Sequence, residues 1–260
     1  MPISHESDRT TAAPEPLTLV RRLYDAWNAG DVAGAAELLA PDVQWESFHG
    51  SRPLSGPGAI QATLAGPSGG TWRLAPVGID LLVGVGDHVI AVSRRGGAEP
   101  SDSDRLEVWT LRDGRAVHYR GFPLDTGMAV LSETTRSHKL EAVCRAVLAF
   151  NRGDAEGWMR FFVPDIELVS AMGERGGFRL RGSPEDFAGR RIEDVRIVAE
   201  SFEALVISAT VHERAAGSTL NLFVAFAGTR ARRIVHHATP EDALDAAAAR
   251  RFDRSPPSRP

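Results

Sequence analysis

One run of this sequence gathers side chains that can move a proton: LEVWTLRDGRAVHYRGF, Leu106 to Phe122. Asp113–Gly114 divides it into two strand-like segments, a strong hairpin signal. Alternate residues of a strand share a face, so Glu107, Trp109 and Leu111 lie together. A carboxyl held against aromatic rings loses water. That disfavours its charged form, as a general acid or base requires. The alternative is a solvent-facing Glu107 paired with an arginine such as Arg94 or Arg120, the common fate of a charged strand residue. His118 and Tyr119 are neighbours, so only one of them can share a face with a pocket, and a register slip of one exchanges them. His236 and His237 point to opposite faces for the same reason and cannot both bind one ion. His212 and Glu213 meet the same objection, and no metal site is expected. Cys144, the single cysteine, sits with Val143 and Val147 in a helical pattern and reads as a small buried apolar group.

The elements that must position these groups are legible in outline. Leu19, Leu23 and Trp27 fall at i, i+4 and i+8, with Val20 and Tyr24 alongside, on one helix face. Gly30 ends that helix, and Asp31 caps a second one expected to run through Leu39 to a stop at Pro41. VQWES then alternates as a strand, with Val43, Trp45 and Ser47 on one face. A short helix near Pro57–Leu64 follows, then a hairpin turning at Gly86–Asp87, then the Asp113–Gly114 hairpin.

The chain then repeats itself. Asn28, Gly30, Asp31, Gly34, Pro41, Asp42 and Ser47 recur 123 positions on as Asn151, Gly153, Asp154, Gly157, Pro164, Asp165 and Ser170. A fixed offset means two copies of one unit. We expect a tail at 1–16, a first domain at 17–131, a linker at 132–137, a second, degenerate domain at 138–250 and a tail at 251–260. The second copy carries Leu140, Val143, Val147 and Phe150 on its first helix and strand-like stretches after it. A last helix is capped by Thr239, with Pro240 at its first position. Helices followed by an antiparallel meander give an α+β fold, here two tandem cone-shaped domains, each with N-terminal helices on a curved antiparallel sheet. Fusion makes the pairing of such units intramolecular. We expect them packed sheet against sheet as a pseudo-dimer in a single, monomeric chain.

The composition, 43% apolar and 25% charged with a net charge of −4, is that of an ordinary globular protein. No basic stripe or finger spacing points to nucleic acid. No apolar run reaches the ~18 residues that span a bilayer, and the polar, proline-containing start does not read as a signal peptide, so the expected location is cytoplasmic.

LVRRLYDAWNAGDVAGAAELLAPDVQWES followed by VWTLRDGRAVHYRGF resembles the SnoaL-like branch of the nuclear-transport-factor-2-like superfamily, which also holds ketosteroid isomerase and limonene epoxide hydrolase. The resemblance covers nearly all of 17–131 and, more weakly, 138–250. It implies a cone holding a small hydrophobic molecule and acid–base chemistry without cofactor or metal. It places Glu107, Trp45, Trp109 and Tyr119 on the concave face, with Glu107 within a residue of the second acidic position of the isomerases. Their base position falls on Ser47, and on Ser170 in the second copy. Their helix-one tyrosine falls on Leu23 and Ala146. A hydroxyl does not replace a carboxylate base, which argues against the isomerase mechanism. Glu107, Tyr119 and His118 are therefore the candidate catalytic groups. Trp45, Ser47, Trp109, Leu23 and Trp27 are the candidate substrate contacts. The expected function is a cyclase, isomerase or hydratase/epoxide-hydrolase-type enzyme working in the first domain. A non-catalytic binding or scaffolding protein of the same fold is the alternative.

Overall fold

The computed structural model describes residues 15–46, 52–65, 76–95, 104–135, 137–170, 189–213 and 216–252. In the first half, helix α1 (Pro16–Asn28) buries Leu17, Leu19, Val20, Leu23 and Tyr24. The repeated residues that follow it have structural work. Asn28 exchanges two hydrogen bonds with the backbone of Val77, tying the end of the helix to the sheet. Gly30 turns the chain at φ +74°. The Asp31 carboxylate accepts the Gly34 N–H at 2.8 Å and starts α2 (Val32–Glu37). A Cβ at residue 34 would lie 2.1 Å from that carboxylate, so the cap requires glycine there. Asp154 and Gly157 make the same cap at 2.9 Å, at the start of a short helix in the second half.

Helix α2 ends at Glu37, not at Leu39. Strand β1 (Leu39–Glu46) begins there, because the Ala116 N–H bonds the Leu38 carbonyl and Leu39 pairs with Ala116. That sheet pairing outweighs a weak helical preference. Pro41 falls where the β1 register shifts, so its missing N–H interrupts no ladder. The short strand β2 (Leu54–Ser55) and helix α3 (Pro57–Ala65) follow. An antiparallel meander then runs through β3 (Val77–Val85), β4 (His88–Arg95), β5 (Asp104–Arg112) and β6 (Arg115–Pro123). Strand β1 joins β6 in parallel.

Helix α4 (Leu124–Thr135) closes the first half, and Ser137 caps α5 (His138–Asn151) through the Leu140 N–H. Residues 132–135 of the stretch read as a linker are thus helix. The second half repeats the order: α6 (Ala155–Met159), β7 (Phe162–Ser170), β8 (Arg190–Glu200), β9 (Ala204–Glu213), β10 (Ala216–Ala227), β11 (Arg230–His237) and α7 (Pro240–Phe252). Thr239 caps α7, its hydroxyl accepting the Asp242 N–H at 3.1 Å.

Among the described residues eleven strands form one sheet, ordered β2-β1-β6-β5-β4-β3-β8-β9-β10-β11-β7. The halves therefore meet edge to edge through β3 and β8, not sheet against sheet as the repeat suggested. Each half already covers one sheet face with its first helices and the other with its last, so no bare face remains to pack. The two edge strands satisfy each other's backbone groups instead. Because β3 and β8 run parallel, the second half is turned over relative to the first. Helix α1 covers the first half on one side, where α7 covers the second. On the other side α4 and α5 share one continuous core with Leu81, Val83, Val195 and Ile207. Among the ion pairs that cross the joint, two mirror each other. Arg21 of α1 reaches Asp194 of β8 at 2.6 Å, and Arg152, after α5, reaches Asp80 of β3 at 2.8 Å.

Candidate functional site

The concave face of the first half, under α1, holds a buried polar cluster in an aromatic shell. Glu107 on β5 is 3% exposed. One of its carboxylate oxygens accepts the Tyr119 hydroxyl at 3.0 Å, and the other accepts the hydroxyl of Tyr24. The Trp109 indole N–H bonds the Tyr24 oxygen at 3.3 Å. Around this polar centre Trp45 stacks on Tyr119 with centroids 3.8 Å apart. Trp27, half-buried, closes against Tyr24, Trp45 and Trp109 at 5.5–5.6 Å.

Local structure sets each position. The β5–β6 register puts Trp109 opposite Tyr119 and Glu107 opposite Gly121. Gly121 is needed there, because a Cβ would come within 2.7 Å of the Tyr119 hydroxyl. The parallel β1–β6 pairing sets Trp45 beside Tyr119. Tyr24 lies one turn beyond Val20 on the buried face of α1. Burial, and then the nearby charge of Glu107, push the Tyr24 phenol well above its usual pKa, so it keeps its proton and remains a donor. Phenols, an indole and one carboxyl are groups that hold and move protons.

Residues 20–119 match the family model described as the SnoaL-like domain. This part of the chain is similar to SnoaL-like domains. No curated protein matches the chain. Among solved structures it is similar to a putative ketosteroid isomerase from Kribbella flavida (17% identity, 41% of this chain and 76% of that one, TM-score 0.35). It is also similar to a putative SnoaL-like polyketide cyclase from Jannaschia sp. (22%, 46% and 94%, 0.36) and to a putative polyketide cyclase from Sinorhizobium meliloti (20%, 40% and 93%, 0.34).

Within the matched region, Glu107, Tyr119, Trp45, Trp109 and Trp27 come together. His118 does not join them. It points to the other face, its Nε2 3.3 Å from Glu46, because Tyr119 holds the inward position of the pair. Arg94 and Arg120, the alternative partners for Glu107, lie elsewhere: Arg94 pairs with Asp80 and Asp104, and Arg120 with Glu46. Ser47 lies outside the described residues. Leu23 is fully buried in the core beneath α1. The helix-one hydroxyl comes from Tyr24, one position beyond the residue the resemblance indicated. Tyr24 and Gly121 are the two members of the site that sequence reasoning missed. A glycine inside the strand pattern HYRGF was the available signal for Gly121.

Proposed function

We propose that the first half binds a small hydrophobic molecule within its aromatic shell and moves a proton of that molecule with Glu107. Cyclisation, isomerisation and hydration are the reaction classes this serves. The observation that carries the reading is a buried carboxylate whose two oxygens are each held by a tyrosine hydroxyl. A buried polar group is costly unless it is paired, and here the pairing is built from groups that also handle protons. Proton transfer of this kind involves no change of oxidation state and calls for no redox cofactor. Among the described residues no helix is long and apolar enough to cross a membrane. We place the protein in the cytoplasm, as one chain that is its own pseudo-dimer.

One observation favours the second reading, a binding or scaffolding protein without turnover. The rings close tightly on one another, Trp45 on Tyr119 and Trp27 on three neighbours, so a ligand has to part them. Glu107→Gln separates the two. It keeps the shape of the side chain and removes its titration. Under the acid–base reading ligand binding persists while turnover falls by about 10²–10⁴-fold, the usual worth of a general acid or base. Unchanged turnover removes Glu107 from the mechanism. Tight binding with no turnover in either protein establishes the second reading. Substrate is found first by a thermal-shift screen of small hydrophobic compounds, with turnover measured on whatever binds.

A further inference from the structure

Helix α5 packs Leu140, Val143 and Val147 into the shared core. Another flank of the same helix, with Ala142, Ala146 and Ala149, floors a cleft of about 420 Å³. Leu124 and Met128 of α4 and Phe161, just after α6, add apolar walls. A cleft of that size suits a small molecule. Glu107 and its aromatic shell take no part in it. The internal repeat shows how the cleft arises. Ala142 and Ala146 correspond, 123 positions back, to Leu19 and Leu23, both fully buried. The second copy thus has the smallest apolar side chain at two positions where the first packs leucine, and space opens beside α5. Charge changes with size. The charged cleft-lining positions from α5 to the end of α6 are Glu141, Arg145, Arg152, Asp154 and Arg160, with one net positive charge. The same stretch of the first copy carries Arg22, Asp25, Asp31 and Glu37, with two net negative charges. Glu37 corresponds to Arg160, which makes the largest single reversal. Arg230, at the β10–β11 turn, adds a further guanidinium to the rim.

We propose that this cleft binds a small amphiphilic carboxylate, its apolar body on the alanine floor and its head at the rim arginines Arg145, Arg160 and Arg230. The acids beside them are already engaged. Glu141 accepts the Arg145 Nε–H at 2.9 Å, and Asp154 accepts the Gly157 N–H at 2.9 Å as the cap of α6. Asp125 lies in the first turn of α4, where the helix end offsets its charge. Arg152 is held by Asp80 and Asp104 across the joint, so it serves the fold first. Arg160 bonds Glu156 through one terminal nitrogen. A guanidinium has five N–H donors in a fork that matches a carboxylate, so Arg145 and Arg160 have further hydrogens to give. A doubly charged head suits the rim less well than a single charge, because three carboxylates line the same cleft. The site is separate from Glu107, and its occupancy does not depend on proton transfer there.

The test is isothermal titration of the full chain near neutral pH with three eight-carbon probes: octanoate, an anion; 1-octanol, neutral; and octylamine, a cation. Octanoate is expected to bind roughly 10-fold more tightly than either of the others, the worth of a charge-assisted hydrogen bond in an open cleft. Two variants restore the residues of the first copy. Arg160→Glu should weaken octanoate about 10-fold and leave 1-octanol unchanged, since it alters the rim and not the floor. Ala142→Leu fills the floor and should weaken both. Should Ala142→Leu fail to fold, Arg160→Glu decides alone, because its side chain is 71% exposed and supports no core. Octanoate that does not bind at millimolar concentration, or binds no more tightly than 1-octanol, overturns the inference. Octanoate binding that neither variant changes overturns it too, since the anion then sits elsewhere. Octanoate binding lost in Glu107→Gln and kept in Arg160→Glu would place the ligand in the aromatic shell, which overturns this site and leaves the acid–base reading standing.

Discussion

The two halves share a skeleton and differ in what fills it. Registers align them: Trp45 lies beside Tyr119 and Trp109 opposite it in the first half, and Leu168 lies beside Ile234 and Val224 opposite it in the second. By the same registers Glu107 corresponds to Leu222, and the helical repeat sets Tyr24 against Val147 and Trp27 against Phe150. The second interior is apolar throughout these positions, with Phe150, Phe161, Phe162, Trp158 and Phe226 packed edge to face. Its sheet, caps and helices are nevertheless those of the first half. The fold therefore does not require a carboxylate, two phenols and an indole at the centre of the cone. What the fold does require is what the repeat preserves: the aspartate–glycine caps, the glycine turns and the asparagine clamps. A buried charge is a poor means of stabilisation compared with a well-packed apolar set. Under the proposed function the polar centre of the first half serves chemistry, and the second half serves as support, its α5 completing the core that β3 shares.

The largest expected effect comes from moving the carboxylate across this comparison. Leu222→Glu introduces a charge where Val147 and Ile234 offer no hydroxyl. A fully buried unpaired charge costs about 3–5 kcal/mol. Leu222 is half-buried, so about 2–4 kcal/mol is expected, read by urea unfolding. Glu107→Gln in the first half should change stability less, because the amide oxygen still accepts from one phenol, its NH2 can donate to the oxygen of the other, and no unpaired charge is introduced. If Leu222→Glu is tolerated without loss, the hydroxyls around Glu107 are not what makes a carboxylate tenable there, and the contrast between the halves loses its force.

A smaller effect tests the clamps. Asn151 donates to the Asp80 and Ile192 carbonyls and accepts the Ile192 N–H, all at 2.8–2.9 Å, so it grips both halves at once. Among the described residues Asn28 makes the pair with Val77 within its own half, in an exposed setting. Asn151→Ala is expected to cost about 1–3 kcal/mol and Asn28→Ala about 0.5–1.5 kcal/mol, the difference lying in burial and in the bond across the joint. Equal losses would mean that the joint is held by β3, β8 and the shared core, with the clamp contributing nothing of its own.

Much of this was legible in the sequence, and the residues that were not share a reason. Strand alternation placed Glu107, Trp109 and Leu111 on one face without further help, since a period of two tolerates no ambiguity once the strand is found. The caps and the hairpins were legible because they are local. On α1 the reading fell on Leu23 when the hydroxyl was Tyr24. One helical position is a rotation of about 100°, and a face that buries both residues gives no sign of which one aims at the site. The end of α2 and the edge-to-edge joint were hidden because both depend on distant partners, Ala116 for Leu39 and β8 for β3. The inward choice of Tyr119 over His118 also waited on register, which is a property of two strands together.

The smallest expected effect concerns Tyr24 and rising pH. The chain has two tyrosines, Tyr24 and Tyr119, so phenolate absorbance reports on few groups. In the unfolded chain Tyr24 should ionise near pH 10. In the folded protein its pKa is raised well above that, by burial and then by Glu107. Below pH 10 both states hold the proton, and Tyr24 contributes no pH dependence. Above it the unfolded state sheds a proton that the folded state keeps, so stability falls as pH rises towards the folded pKa. Cys144 acts in the same sense from about 9 upward, its thiol being pushed by burial to about 12. Tyr24→Phe removes one of these contributions and leaves the other. Melting temperature measured against pH should therefore fall less steeply beyond pH 10 in the variant than in the native chain. The Tyr24 phenolate signal of the native chain should appear only with unfolding. A phenolate that forms while the protein remains folded would show Tyr24 open to water and its hydrogen free to leave Glu107. The contrast between a sealed polar centre in one half and a sealed apolar one in the other would then have to be redrawn.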